Sequence, residues 1–355
     1  MTVHTLFMRR CFQLARKGEG FTHPNPMVGA VVVHDGKIIG EGFHRRYGEP
    51  HAEVNAIDAV RDTSLLRRSI LYVSLEPCSH HGKTPPCAEL IAEKGIPKVV
   101  VATRDPNPKV AGKGLAWMRE RGIEVVEGIL KEEACALNRA FFVNQLLKRP
   151  YVILKWAQSR DGFIDRTRTS REERPIKLSN ELTSCLAHML RTRVQGIMVG
   201  TQTAMLDDPK LTVRHWYGNQ PTRVVIDRTN RIPNDRTLFT GSPPTIVFTE
   251  SISPVRSEKS GVKQIKVDFS KETIQQVLKW LYDEKIFILL VEGGSQLLTS
   301  FIEQQLWDEA YVEISAKALY SGIKAPSING YTISNENFLD STRLHLKNQI
   351  TRNFL

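Results

Sequence analysis

Apolar and polar positions follow two periods along the chain, and the changes between them outline its elements. Between residues 4 and 17, Leu6, Cys11, Leu14 and Ala15 recur among polar residues at helical spacing. Gly18 and Gly20 end the run, which predicts an opening amphipathic helix. Val28 to Val33 and Lys37 to Gly42 flank Asp35-Gly36, a tight-turn dipeptide, so two paired strands follow. Ala52 to Val60 reads as a helix, Ile70 to Ser74 as a buried strand, Cys87 to Lys94 as a helix and Val99 to Ala102 as a strand. This is the alternation of a layered α/β domain. Lys113 to Arg121 and Lys131 to Leu146 add two more helices, and Lys148-Arg149-Pro150 closes the half.

The pattern then restarts with a strand from Tyr151 to Trp156, followed by a polar, basic stretch from Arg160 to Lys177 that predicts a loop. Gly196 to Val199, Arg223 to Ile226, Thr245 to Phe248 and Ile286 to Val291 are spaced like the strands of an α/β sheet. The last of these leads through Glu292-Gly293-Gly294-Ser295 into a helix from Gln296 to Glu303. Strand, glycine turn and helix together make a phosphate-binding geometry. No Gly-x-Gly-x-x-Gly occurs, so the orthodox dinucleotide fingerprint is absent and the pattern alone leaves cofactor binding open. Two domains are predicted, residues 1–148 and 149–355.

Composition narrows the classes. A chain of 355 residues exceeds what one core usually organises, and 41% hydrophobic with 25% charged residues is ordinary for a globular protein. Met1 to Arg10 carries no apolar stretch of signal-peptide length, and no window approaches the ~20 apolar residues of a membrane span. Five cysteines, at 11, 78, 87, 135 and 185, are too sparse for a secreted disulfide framework, so a reducing cytoplasm is expected. The net charge of +11 brings nucleic acid into consideration, but phosphorylated small substrates explain it equally well, and the basic residues are dispersed.

Candidate chemistry lies on either side of the Ile70 strand: His51-Ala52-Glu53 before it, Pro77-Cys78 and then Cys87 after it. One imidazole and two thiolates suit tetrahedral Zn²⁺, and three protein ligands leave a fourth position for water, the catalytic arrangement. Both ligand groups stand at predicted helix starts, which favour the thiolate form of Cys87. Glu53, two residues from His51, points away from it and is better placed to shuttle protons than to bind metal, the pattern of zinc deaminases. A buried histidine beside two unrelated cysteines, or a structural zinc with a fourth ligand from His80 or His81, are the plainer alternatives. The usual Cys-x-x-Cys of nucleic-acid base deaminases is replaced by Cys78, eight residues, then Cys87. That spacer, carrying His80, Gly82 and Lys83, suits a polar or phosphorylated ring and argues against a nucleic-acid substrate.

Thr22-His23-Pro24-Asn25-Pro26-Met27-Val28-Gly29, His51-Ala52-Glu53-Val54, Glu76-Pro77-Cys78 through Pro86-Cys87, Arg104-Asp105-Pro106-Asn107-Pro108 and Gly112-Lys113-Gly114 resemble the bifunctional deaminase/reductase family of riboflavin biosynthesis, RibD or RibG. The resemblance implies a cytidine-deaminase-like α/β/α domain. Its activity would be hydrolytic deamination of 2,5-diamino-6-ribosylamino-4(3H)-pyrimidinone 5′-phosphate at the 2-amino carbon. Carried over by position, His51, Cys78 and Cys87 would hold one zinc and Glu53 would relay protons, while Asn25, His44, His80 and Lys83 would contact the nucleotide.

The second half carries the resemblance through Lys155 to Gly162, Val199-Gly200-Thr201-Gln202-Thr203, Asp207 to Arg214 and Val291-Glu292-Gly293-Gly294. It implies a dihydrofolate-reductase-like α/β domain that uses NADPH to reduce the ribosyl group of the deaminated product to ribityl. Ala157, Thr203, Asp207 and Gly294 would face NADPH. Arg191, Leu211, Arg214 and Glu292 would face the substrate, the two arginines suited by their fixed donor forks to a sugar phosphate. The chain departs from the family at Arg160, usually Leu, and at Lys177-Leu178-Ser179, usually Trp-Ile-Thr. The basic loop 166–177 therefore has no residue-by-residue counterpart, though its charge would attract phosphorylated ligands. A homo-oligomer, dimer or tetramer, is implied, with no nucleic-acid or membrane partner.

Overall fold

The computed structural model describes residues 2–79, 85–107, 110–170 and 172–353. The chain divides into two compact units, with the boundary between Leu147 and Lys148. Among the described residues no helix is long and apolar enough to cross a membrane.

The first unit runs α1 (Val3–Ala15), β1 (Gly29–His34), β2 (Lys37–Phe43), α2 (Ala52–Asp58), β3 (Ile70–Val73), α3 (Cys87–Glu93), β4 (Lys98–Val101), α4 (Lys113–Glu120), β5 (Glu124–Glu127), α5 (Lys131–Leu137) and α6 (Arg139–Leu147). The sheet order is β2-β1-β3-β4-β5, antiparallel where β1 meets β2 and β3, parallel from β3 to β5. Side chains of period two divide between two faces. Ala30, Val32, Leu71, Val73, Val99 and Val101 pack with α2, α3 and α4, whereas Val31, Val33, Tyr72 and Val100 pack with Phe7, Met8, Cys11 and Phe12 of α1. The central strands β1, β3 and β4 are almost wholly apolar because both of their faces are covered, giving the expected α/β/α layers.

The hairpin turn falls on Asp35 and Gly36, both at positive φ, with His34 paired to Lys37. Two details differ from the sequence reading. Glu124–Glu127 is an additional edge strand, and the single helix expected from Lys131 to Leu146 is two, broken at Asn138. At the break the buried Asn138 amide donates to the Met27 carbonyl and accepts from the Met27 N–H, both at 2.8 Å.

The second unit contains β6 (Tyr151–Gln158), β7 (Phe163–Asp165), α7 (Glu181–Arg191), β8 (Gly196–Val199), α8 (Thr201–Asp207), β9 (Thr222–Ile226), β10 (Thr245–Thr249), α9 (Pro254–Ser257), β11 (Val262–Lys266), α10 (Thr273–Asp283), β12 (Ile288–Glu292), α11 (Ser295–Glu303), β13 (Glu309–Ser315), β14 (Ile323–Lys324), β15 (Tyr331–Phe338), β16 (Ser341–Lys347) and α12 (Gln349–Asn353). Nine strands form one sheet in the order β11-β10-β9-β8-β12-β6-β13-β16-β15. Those from β11 to β13 are parallel and the last two antiparallel. The stretch expected as loop from Arg160 to Lys177 holds one short strand, β7, paired with β14. Insertion of β12 between β8 and β6 puts the Gly293-Gly294 turn at the carboxyl ends of the central strands, where open parallel sheets form their ligand crevices.

Two candidate active sites

In the first unit, the close approach of helix to sheet sets where the ligands stand. A Cβ on Gly42 would lie 2.3 Å from the Ala56 nitrogen and 2.5 Å from the Ala52 oxygen, so only glycine lets α2 sit this close to β2. His51 is the N-cap residue of α2, in extended conformation, and Glu53 lies in its first turn. Cys78 follows β3, and Cys87 opens α3 with its N–H donating to the Cys78 sulfur at 3.3 Å.

His51 Nδ1 stands 3.7 Å from Cys78 Sγ and 3.4 Å from Cys87 Sγ, and the three ligand atoms lie within 4.8 Å of one another. The Cys87 thiol, and then His51, hold the Cys78 thiol down at about 4 by hydrogen bonding. A ring nitrogen and two sulfurs around one point, one of them held as thiolate, form the soft donor set that fits a zinc ion. Glu53 is buried beside them, and burial raises its carboxyl to about 7.

His44 and Asn25 join this group. The two histidine rings meet edge to face at 5.4 Å, and His44 Nε2 lies 3.1 Å from Asn25 Nδ2. His44 Nδ1 is 3.2 Å from the Pro50 carbonyl, which can only accept, so Nδ1 carries the hydrogen and Nε2 accepts from Asn25. Burial lowers the His44 pKa, keeping the ring neutral. The other two residues assigned to the nucleotide, His80 and Lys83, lie outside the described residues.

In the second unit a cavity of about 960 Å³ opens at the carboxyl ends of β6, β8, β9 and β12. It is lined by Ala157, Thr203, Asp207 and Gly294, assigned above to the cofactor, and by Arg191, Leu211 and Glu292, assigned to the substrate. Gly293 and Gly294 both take positive φ, and a Cβ on Gly294 would stand 3.2 Å from the Thr203 hydroxyl, so the glycine turn lies close against α8. The volume and the glycine-lined helix starts fit an extended, phosphorylated cofactor.

Arg214 is the exception: it is exposed, is not part of that lining, and donates through Nη1 to the Thr212 hydroxyl at 3.0 Å. Arg191 does line the cavity, but its fork is occupied by the chain itself. Nε and Nη2 reach the two Glu292 oxygens at 2.9 and 2.6 Å, and Nη1 reaches the Thr212 carbonyl.

Sequence reasoning did not single out Arg168. The basic loop folds it into the cavity wall, where it pairs with Asp165 through Nε at 2.6 Å and with Asp207 through Nη2. The charge of Arg168 is therefore already met within the chain by two carboxylates. Its partner Asp207 is 39 residues away, and no local pattern announces such a pair.

Known proteins agree with this two-part layout. Residues 1–103 match the family described as the cytidine and deoxycytidylate deaminase zinc-binding region, and residues 150–349 match the RibD C-terminal domain. The riboflavin biosynthesis protein RibD of Aquifex aeolicus is 41% identical over 326 residues, 89% of this chain and 88% of its own. RibD of Bacillus amyloliquefaciens is also 41% identical, over 94% of this chain and 88% of its own. The diaminohydroxyphosphoribosylaminopyrimidine deaminase/5-amino-6-(5-phosphoribosylamino)uracil reductase of Thermotoga maritima superposes with a TM-score of 0.85 at 37% identity, covering 98% of this chain and 99% of that one.

Proposed function

This chain belongs to the RibD family of bifunctional riboflavin-biosynthesis enzymes, and on that premise we propose which of its residues perform the deamination and the reduction. The first domain is a zinc-dependent deaminase and the second an NADPH-dependent reductase. The substrate class is a small pyrimidine ribonucleotide. It is deaminated to the uracil form and then reduced at the sugar to 5-amino-6-ribitylamino-uracil 5′-phosphate.

The reading of the site rests above all on one observation, the convergence of His51, Cys78 and Cys87 within 4.8 Å beside a buried carboxyl. These three residues hold the zinc, which when bound supplies a Lewis acid that brings the ionisation of water close to neutral pH. Glu53 takes a proton from the attacking water and returns it to the leaving amino group. A carbon–oxygen bond forms at the 2-amino carbon as the carbon–nitrogen bond breaks, and ammonia departs. Burial suits Glu53 to this relay, because a carboxyl raised to about 7 can both take and give a proton near neutral pH. Neutral His44, held by Pro50 and Asn25, and Asn25 itself orient the ring, and His80 and Lys83 are assigned to the nucleotide.

In the reductase, NADPH when bound would supply a hydride to C1′ of the ribosyl group, where the bond to the ring oxygen opens and that oxygen takes up a proton, leaving the open ribityl chain. Ala157, Thr203, Asp207 and Gly294 hold the cofactor. Leu211 and the Arg191–Glu292 pair shape the sugar side, with Glu292 fixed by Arg191 and Arg214 left to meet the phosphate. The chain works as a homo-oligomer, dimer or tetramer, in the cytoplasm, the compartment that so sparse a set of cysteines suits.

The test supplies the diaminopyrimidine nucleotide with NADPH and follows ammonia and NADPH together, with and without a zinc chelator. Ammonia release should precede NADPH loss, and the chelator should stop both. With the deaminated nucleotide as substrate, NADPH loss should survive the chelator. Ammonia release that persists in zinc-free protein would overturn the assignment of the three ligands.

A further inference from the structure

The residue two positions before the first zinc-ligating cysteine is Glu76, and its side chain is buried at 4% exposure. The protein surrounds this carboxylate with backbone donors. The Asp105 N–H reaches Oε2 at 3.2 Å, the Gly112 N–H reaches Oε2 at 2.9 Å, and the Gly114 N–H reaches Oε1 at 3.0 Å. One side chain thus ties the end of β3 to the segment after β4 and to the start of α4. The Glu76 backbone adds to the tie, its N–H donating to the Thr103 carbonyl at 2.9 Å.

Both glycines of Gly112-Lys113-Gly114 are required for this contact. A Cβ on Gly114 would stand 2.3 Å from the Pro77 carbonyl oxygen and 3.3 Å from Glu76 Oε1, and Gly112 takes φ +76°. From Glu76 the route to the ligand is short and stiff. Pro77 has its φ fixed by the ring, and Cys78 comes next, its carbonyl accepting from the Ala88 N–H of α3 at 3.1 Å. Cys78 is therefore fixed between two anchors, the Glu76 carboxylate on one side and α3 on the other.

We infer that Glu76 is a positioning residue for the deaminase metal, holding Cys78 Sγ in register with His51 and Cys87 through three backbone hydrogen bonds. This rests on the zinc-site reading given above. Charge-assisted bonds to backbone donors are stronger than neutral ones, and groups that orient a metal ligand act on metal affinity as well as on turnover. In Glu76→Gln an amide NH₂ must replace one of the two oxygens, so at least one backbone donor loses its acceptor and faces another donor.

The full chain in wild-type, Glu76→Gln, Glu76→Asp and Glu127→Gln forms decides the matter. Glu127→Gln is the control, because Glu127 pairs with Arg104 and Arg119 on the same segment without touching Glu76. Zinc affinity is read by competition with a chromophoric chelator, deaminase kcat and KM at limiting and at saturating zinc, and NADPH oxidation of the deaminated nucleotide on the same preparations. Glu76→Gln should lose roughly 10- to 100-fold in zinc affinity. Its kcat should fall at limiting zinc and recover at saturating zinc, with KM and the reductase rate unchanged. Glu127→Gln should bind zinc as the wild type does. Glu76→Asp keeps the charge but shortens the reach, and should fall between; it carries the test should the glutamine variant not fold. Wild-type zinc affinity in a folded Glu76 variant, or a kcat loss that saturating zinc does not reverse, would overturn the inference. A wild-type chain that binds no zinc would instead overturn the site reading beneath it.

Discussion

Side by side, Glu53 and Glu76 show how position in the fold gives one residue type two kinds of work. Glu76 is satisfied by three backbone donors. Glu53 is buried and lies next to the Cys87 thiol and His51. A carboxyl held in that way is suited to exchanging a proton with substrate. Glu53→Gln keeps the size of the side chain and removes its basicity. Deaminase kcat should fall by roughly 10²- to 10⁴-fold, the usual worth of a positioned acid–base group, while zinc content stays at one per chain. Measuring zinc and kcat on one preparation separates the roles: loss of zinc along with turnover would make Glu53 a part of the metal site, and full turnover would remove it from the mechanism.

Among the elements, α2 is the one on which the deaminase site depends most, since it carries His51 at its cap and Glu53 in its first turn. Its seat on β2 is set by Gly40 and Gly42. Gly42→Ala would drive a methyl group into the backbone of Ala52 and Ala56, which cannot yield as a side-chain tip could. The expected cost is about 3 kcal/mol, the upper end of ordinary overpacking, with weakened zinc binding because the cap moves with its helix. Denaturant midpoints and zinc titration check this; a variant as stable and as zinc-avid as the wild type would show that α2 is not held by this contact. The elements also show what was legible in the sequence. The Asp35-Gly36 hairpin and the apolar strands are written in neighbouring residues, so local pattern sufficed; His51 stands 27 and 36 residues from Cys78 and Cys87, and that trio was legible from its residue types and order, not from proximity. The pairing of Asn138 with Met27 was not legible, because the two stand 111 residues apart. The same holds for Arg191, which reads as a phosphate ligand until the fold brings Glu292 across 101 residues to occupy its fork.

At the scale of the whole molecule, the nine-stranded sheet of the second unit is drawn entirely from residues after Leu147, and so is its core from Val152 to Leu346. The first residues of that unit are fastened within it. Arg149 reaches the buried Asp308 carboxylate through Nη1 at 2.6 Å and Nη2 at 2.8 Å, and the Val152 N–H bonds the same carboxylate at 2.8 Å. A chain cut just before Lys148 therefore keeps its anchor, its sheet and every described residue lining the reductase cavity, the conditions under which a domain folds alone. We expect a fragment starting at Lys148 to melt in one cooperative transition and to oxidise NADPH with the deaminated nucleotide at a turnover close to that of the full chain. It should release no ammonia from the diaminopyrimidine nucleotide, and a chelator should leave its rate untouched. A fragment that fails to fold, or that reduces its substrate only when residues 1–147 are added back, would show that the two activities share more than a covalent link.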